Sequence, residues 1–310
     1  MKTTAMKTTA TILALLLALP ACGQQRSAPK QATKTTHVRA ANDADPALWV
    51  VKDKDTTVYL FGTIHVLKPG LSWFDEAVKT AFDRSDTLAL EMVEPDKATA
   101  QGIITAKGLN PTGPTLTERL PANKRAAYTR TLTDLGLPAN ALDRMKPWYA
   151  AMNLSLLPIM KMGYDPAQGP ETVLTAAAKA SGKKVAALET FEQQIGFFDG
   201  LSPSAQTQFL LSTVDEVPKA GEEMSKMVDE WSRGDPDALA RDMNDSLKDS
   251  PEVAKTLLTD RNARWAKWIE NRMKTPGTVF VAVGAGHLAG PQSVQAHLMR
   301  DKVKVSRIRY

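Results

Sequence analysis

Residues 59–70 read YLFGTIHVLKPG, and residues 279–290 read VFVAVGAGHLAG. Each is an apolar, β-branched run that stops at a glycine, with a histidine three residues later: Gly62 and His65, Gly284 and His287. Short apolar runs bounded by glycine predict buried strands. The repeated ending predicts that both strands deliver an imidazole to the same side of a sheet, because ligands in open α/β sheets gather beyond the carboxyl ends of the strands.

Working outward, ALWVVKDKDTTVYLFGT (47–63) predicts a hairpin, two apolar runs around a polar KDKD. LSWFDEAVKTAFDRS (71–85) has helical spacing, and DTLALEM (86–92) is a short strand ending at Glu91. Between 95 and 170 the strand signal disappears and helix starts and stops follow one another, which predicts a helical cap inserted over a sheet. Met145, Met152, Met160 and Met162 fall there, where core filling is the commoner use of methionine than a binding groove. GPETVLTAAAKASGKKVAALETFEQQ (169–194) is a helix, a Gly-Lys-Lys turn and a strand ending at Glu189. Residues 191–273 are again helical, with Trp265 and Trp268 read as core. GTVFVAVGAGH, GPQSVQAHLMRD and VKVSRIRY close the chain as strand, helix and strand. His297 lies in that last helix and is read as a surface or core residue.

The order is strand-GxxH, strand-LxLE, strand-xxLE, strand-GxxH: two pseudo-repeated halves, the second reversed. If the four strands lie side by side, His65, Glu91, Glu189 and His287 converge. Imidazole and carboxylate suit a divalent metal that needs no thiolate. The glycine is expected to let the chain turn sharply after each strand. Two histidines and Glu91 as ligands leave positions for water, and Glu189 is assigned as the general base that takes its proton. Against this stands the plain reading, in which the histidines satisfy backbone groups and the glutamates open solvated loops.

The N-terminus reads separately. Lys2 and Lys7 precede TILALLLALP, which predicts a signal peptide over residues 1–21. LPAC resembles a bacterial lipobox, so Cys22, the only cysteine, is the expected lipidated residue. Residues 22–45 then form the lipidated cysteine and a disordered tether, with His37 a bystander, and 46–310 form the folded domain. Six of the 39 Lys and Arg and two of the 34 Asp and Glu precede Pro46, leaving the domain at +1. A nearly neutral domain carries no electrostatic footprint for nucleic acid. The expected location is the bacterial cell envelope, on the periplasmic side and by the outer membrane.

With these residues in view, the chain resembles the TraB/GumN family, which includes the PrgY-like pheromone-inactivation proteins and the Tiki metalloproteases. The likeness rests on LFGTIHV, LALEM, MKPWYAA, GYDPAQGPETVL, VAALETFEQQIGFFDGLS, LLTDRNARW and VAVGAGHLAGPQSV. It implies an α/β fold like that of the ChaN lipoproteins and erythromycin esterases: a central mixed β-sheet, helices on both faces and a helical cap. It implies that His65 and His287 are the metal-site histidines and that Glu91 matches the acidic position of the first half. Arg261 and Asn262 match a polar pair before the last GxxH strand, where Arg261 would hold a substrate carboxylate or an oxyanion, the plain alternative being a surface ion pair. Glu189 and Gln193 match the second-half acidic motif. The expected activity is metal-dependent hydrolysis of a peptide or small amide, with Mn, Co or Zn as cofactor. The alternatives are a haem- or iron-binding lipoprotein without turnover, and a structural envelope protein.

Overall fold

The computed structural model describes residues 42–247 and 250–309. The signal segment, Cys22 and His37 lie outside the described residues. Among these residues no helix is long and apolar enough to cross a membrane. The first described residues are tied to the loop before the first helix. Ser72 N–H donates to Asn42, and Ala44 N–H to Ser72, both at 2.8 Å.

Six strands form one sheet: β1 (Leu48–Lys52), β2 (Thr56–Thr63), β3 (Thr87–Leu90), β4 (Lys184–Ala187), β5 (Gly277–Gly284) and β6 (Val305–Ile308). Their order is β4-β3-β5-β2-β1-β6. The four from β4 to β2 are parallel, β1 is antiparallel to β2, and β6 is antiparallel to β1. The sheet is therefore mixed, as the family resemblance implied. The predicted hairpin is β1-β2, turned on Asp53, whose carboxylate accepts from the N–H groups of Asp55 and Thr56.

The apolar runs of β2 and β5 are explained by burial on both faces. Phe61, Leu88, Leu90, Phe280 and Ala282 point to one side, into a core with Trp73, Phe82, Leu174 and Trp231. That side is covered by α1 (Glu76–Asp83), α5 (Pro170–Ala180) and α8 (Ala220–Ser232). Val58, Leu60, Ala89, Val279, Val281 and Val283 face the other side, against Trp265, Ile269 and Leu298. Those three come from α10 (Asp260–Arg272) and α11 (Val294–Arg300). The period-2 alternation splits each run cleanly between two cores.

A third core lies in the cap. It joins α2 (Lys97–Gly108), α3 (Ala122–Asp134) and α4 (Pro147–Lys161) to α6 (Phe191–Asp199) and α7 (Pro203–Glu216). Trp148, Phe198 and Phe209 stack through its centre. The cap is thus assembled from both sides of β4, where its sequence signal was one insertion. Met152 is buried in it, whereas Met160 and Met162 are exposed. A further helix, α9 (Pro236–Leu247), follows α8.

Candidate active site

Strand order and register bring the four chemical residues together. Thr63 of β2 is level with Gly284 of β5, and Leu90 of β3 is level with Ala282 of β5 and Ala187 of β4. The residues just past those ends are His65, His287, Glu91 and Glu189. All four are buried, His287 completely.

Gly62 acts by size, and neither motif glycine acts by turning. Neither has positive φ. A Cβ on Gly62 would lie 3.0 Å from the Ala285 Cα, in the 3-10 turn Ala285–Leu288 that carries His287. Gly284 donates its N–H to Glu91 Oε1 at 2.7 Å. The expectation of a sharp glycine turn is corrected accordingly: Gly62 lets the two histidine loops approach each other.

At the centre stands Arg261, 1% exposed. It is held by a π turn, Lys255–Thr259, that immediately precedes α10. All of its donors are used. Nε donates to Glu189 Oε2 at 3.0 Å, and Nη2 donates to Glu91 Oε2 at 2.6 Å and Glu189 Oε2 at 2.8 Å. Nη1 donates to the Leu257 carbonyl and to His287 Nε2, each at 3.2 Å. Its guanidinium also lies over the Trp265 ring. Gln194 donates to both Glu91 and Glu189, tying the two carboxylates together. Burial alone would raise the Glu91 carboxyl. Arg261, then the two histidines and the Gly284 N–H, reverse this and hold it at about 2.

Each histidine is oriented by an oxygen acceptor. His287 Nδ1 lies 2.6 Å from Asn262 Oδ1, and Asn262 Nδ2 donates to the Gln292 carbonyl at 2.7 Å. With the amide nitrogen so engaged, the oxygen must face the ring, so Nδ1 carries the proton and Nε2 the lone pair. Burial lowers the His287 pKa to about 3 with help from Arg261, so the ring is neutral at pH 7. Trp265 covers the ring at a centroid distance of 4.4 Å. His65 Nδ1 lies 2.5 Å from Glu171 Oε1, and the same oxygen accepts from the Thr63 hydroxyl. Burial opposes ionisation of Glu171. The His65 imidazole and the hydroxyl outweigh it and set this carboxyl below its ordinary value.

The structure thus brings together His65, Glu91, Glu189, Arg261, Asn262 and His287. Three further residues, Glu171, Gln194 and Trp265, carry no site role in the sequence reading. Glu171 sits in the first turn of α5, where an acidic residue is ordinary because it suits the helix dipole. Gln194 follows Gln193, which does something else: with Thr190 it forms the capping box of α6. Trp265 is the core residue expected, and it also forms a wall of the site.

Among the described residues no three His, Cys, Asp or Glu side chains stand in an arrangement that holds a metal ion. The Arg261 guanidinium meets Glu91 and His287 directly. The donor chemistry still suits a divalent ion. Imidazole and carboxylate converge, and both rings have Nδ1 pinned by an oxygen, as metal-ligating histidines do. Glu91, Glu171 and Glu189 also outnumber the cations around them, Arg261 and the half-exposed Arg264 at 3.4 Å from Glu189.

A model of the TraB/PrgY/gumN family matches residues 47–307. A protein of Treponema pallidum (strain Nichols), described as uncharacterized, is 22% identical over 264 residues, covering 79% of this chain and 78% of its own. No solved structure matches the chain.

Proposed function

Because this chain belongs to the TraB/PrgY/gumN family, we propose that it is a metal-dependent hydrolase of the bacterial cell envelope. The observation that carries the reading is His287 Nε2 at 3.7 Å from Glu91 Oε1, with His65 past the end of the neighbouring strand and each ring oriented through Nδ1 by an oxygen acceptor. His65, Glu91 and His287 would hold the ion, Mn, Co or Zn. When bound, such an ion lowers the pKa of a water toward about 7 and supplies the nucleophile.

The chain's own residues do the rest. Asn262 is a positioning residue that fixes the His287 tautomer. Arg261 brings a fixed positive charge beside the donors, suited to a substrate carboxylate or a developing oxyanion. To admit an ion, its Nη1 must release His287 Nε2. Glu189 would act as the proton acceptor. Both its oxygens accept from Arg261, so in that role it trades one of these bonds for the water. Glu189 lies toward Arg264, where the network meets solvent. The substrate class, a peptide or small amide, is supported by the likeness to the Tiki metalloproteases. Membrane attachment through lipidated Cys22 is supported by LPAC alone.

The test is metal content. Protein purified without added metal is exposed to Mn, Co or Zn, and the retained ion is measured for wild type, His65→Ala and His287→Ala. The expected result is about one ion per chain, lost in both variants. Glu91→Gln loses the ion as well, whereas Glu189→Gln keeps it and loses turnover by about 10²–10⁴-fold. Equal retention in wild type and both histidine variants removes the site. A Soret band in the purified protein turns the reading to haem binding.

A further inference from the structure

Behind His65 lies a contact unit in which Glu171 carries no chemical step of the proposed reaction. Thr63, His65, Gly169 and Glu171 join the end of β2 to the first turn of α5. Glu171 Oε1 accepts from both His65 Nδ1 and the Thr63 hydroxyl. Gly169 is the N-cap of α5, followed by Pro170 at the first helical position. A Cβ on Gly169 would overlap the His65 carbonyl. The helix start is therefore pressed onto the backbone of His65 while its second residue grips the His65 ring. Asp165 and Leu67 pair their backbones next to this contact and clamp the loop from the other side.

We propose that Glu171 is the positioning residue for His65. It is carried on the α5 N-terminus so that the ring is held through Nδ1 and presents its Nε2 edge to the site. The inference rests on the reading of His65 as a working residue of a metal-binding site. The arrangement parallels Asn262 and His287, but it uses a carboxylate where the second half uses an amide. His65 is consequently the more strongly polarised of the two rings, since a carboxylate acceptor raises the basicity of the distal nitrogen more than a neutral one.

Two measurements test this. The first is made on the metal-free wild-type protein at pH 7, by long-range nitrogen–proton correlation of its histidine rings. The expected spectrum gives His65 a slowly exchanging Nδ1 proton at high frequency, from a charge-assisted bond. A ring that flips, or that carries its only proton on Nε2, overturns the proposal whether or not the protein binds metal. The second is Co²⁺ titration of wild type, Glu171→Gln and Glu171→Asp, with melting temperatures recorded in parallel. The expected effect of Glu171→Gln is a 10–100-fold weaker Co²⁺ affinity in a folded protein, partly restored by Glu171→Asp. A lower melting temperature with unchanged affinity makes Glu171 a purely structural contact and also overturns the proposal. Absence of Co²⁺ binding in wild type defeats the metal reading of the site; the ring spectrum then decides Glu171 by itself.

Discussion

Removing Arg261 tests the core of the site most severely. Arg261→Met keeps most of the side-chain volume and deletes five donors and the only fully buried cation of the network. Glu91 and Glu189 then stay buried without their counter-ion. Breaking a buried pair in this way costs about 3–5 kcal/mol, much more than the pair contributes over a well-packed apolar substitute. For a domain of this size each kcal/mol moves the melting temperature by roughly 2–4 °C, so a fall of about 6–20 °C is expected at pH 7. The pH dependence sharpens the test. In the wild type Arg261 holds the Glu91 carboxyl at about 2 against burial. Without it, burial raises that carboxyl, and a proton taken up in the folded state relieves the variant as the pH falls. The gap between wild type and variant therefore narrows on going from pH 7 to pH 5. Thermal melts across that range, in the presence of a chelator, give the answer. A variant as stable as wild type at pH 7, or a gap that does not change with pH, would refute the claim that the network is held by charge.

Other expectations follow from single contacts. His287 has a folded pKa of about 3 against an ordinary 6.5, so the unfolded chain binds more protons between those values. Stability is present above pH 6.5 and is lost as the pH falls toward 3, with Glu91 adding to the loss below 4.5. Denaturant melts of metal-free wild type should show proton uptake on unfolding near pH 5, and His287→Gln should reduce it by up to about one proton. Gly169→Ala sets a methyl group against the His65 carbonyl and should cost about 1–3 kcal/mol or more, whereas Gly102→Ala, with open space around it, should be neutral or stabilising. Mass spectrometry of the mature protein should find Cys22 acylated at the N-terminus; a free thiol there, or a cut beyond it, excludes the lipoprotein.

The strands and both GxxH motifs were legible in the sequence because they are local patterns. The alternation in YLFGT and VFVAVG records which side of the sheet each residue packs on, and the hairpin is written in two runs around KDKD. Helix boundaries such as Thr190 to Gln193 and Gly169-Pro170 follow from capping chemistry within a few residues. That the two histidines, Glu91 and Glu189 meet was an inference from matched strand ends, and only the order β4-β3-β5-β2 realises it. Nothing local states which parallel strands are neighbours, because parallel partners are joined through long crossovers. For the same reason Arg261, read as a residue that meets substrate, proved to be the hub of the network, with its Glu91 partner 170 positions away. Glu171 was hidden by a different cause. An acidic residue in the first turn of a helix is what the helix dipole favours on any helix. Only the tertiary contact, which sets that turn against the His65 loop, sets Glu171 apart from an ordinary first-turn carboxylate.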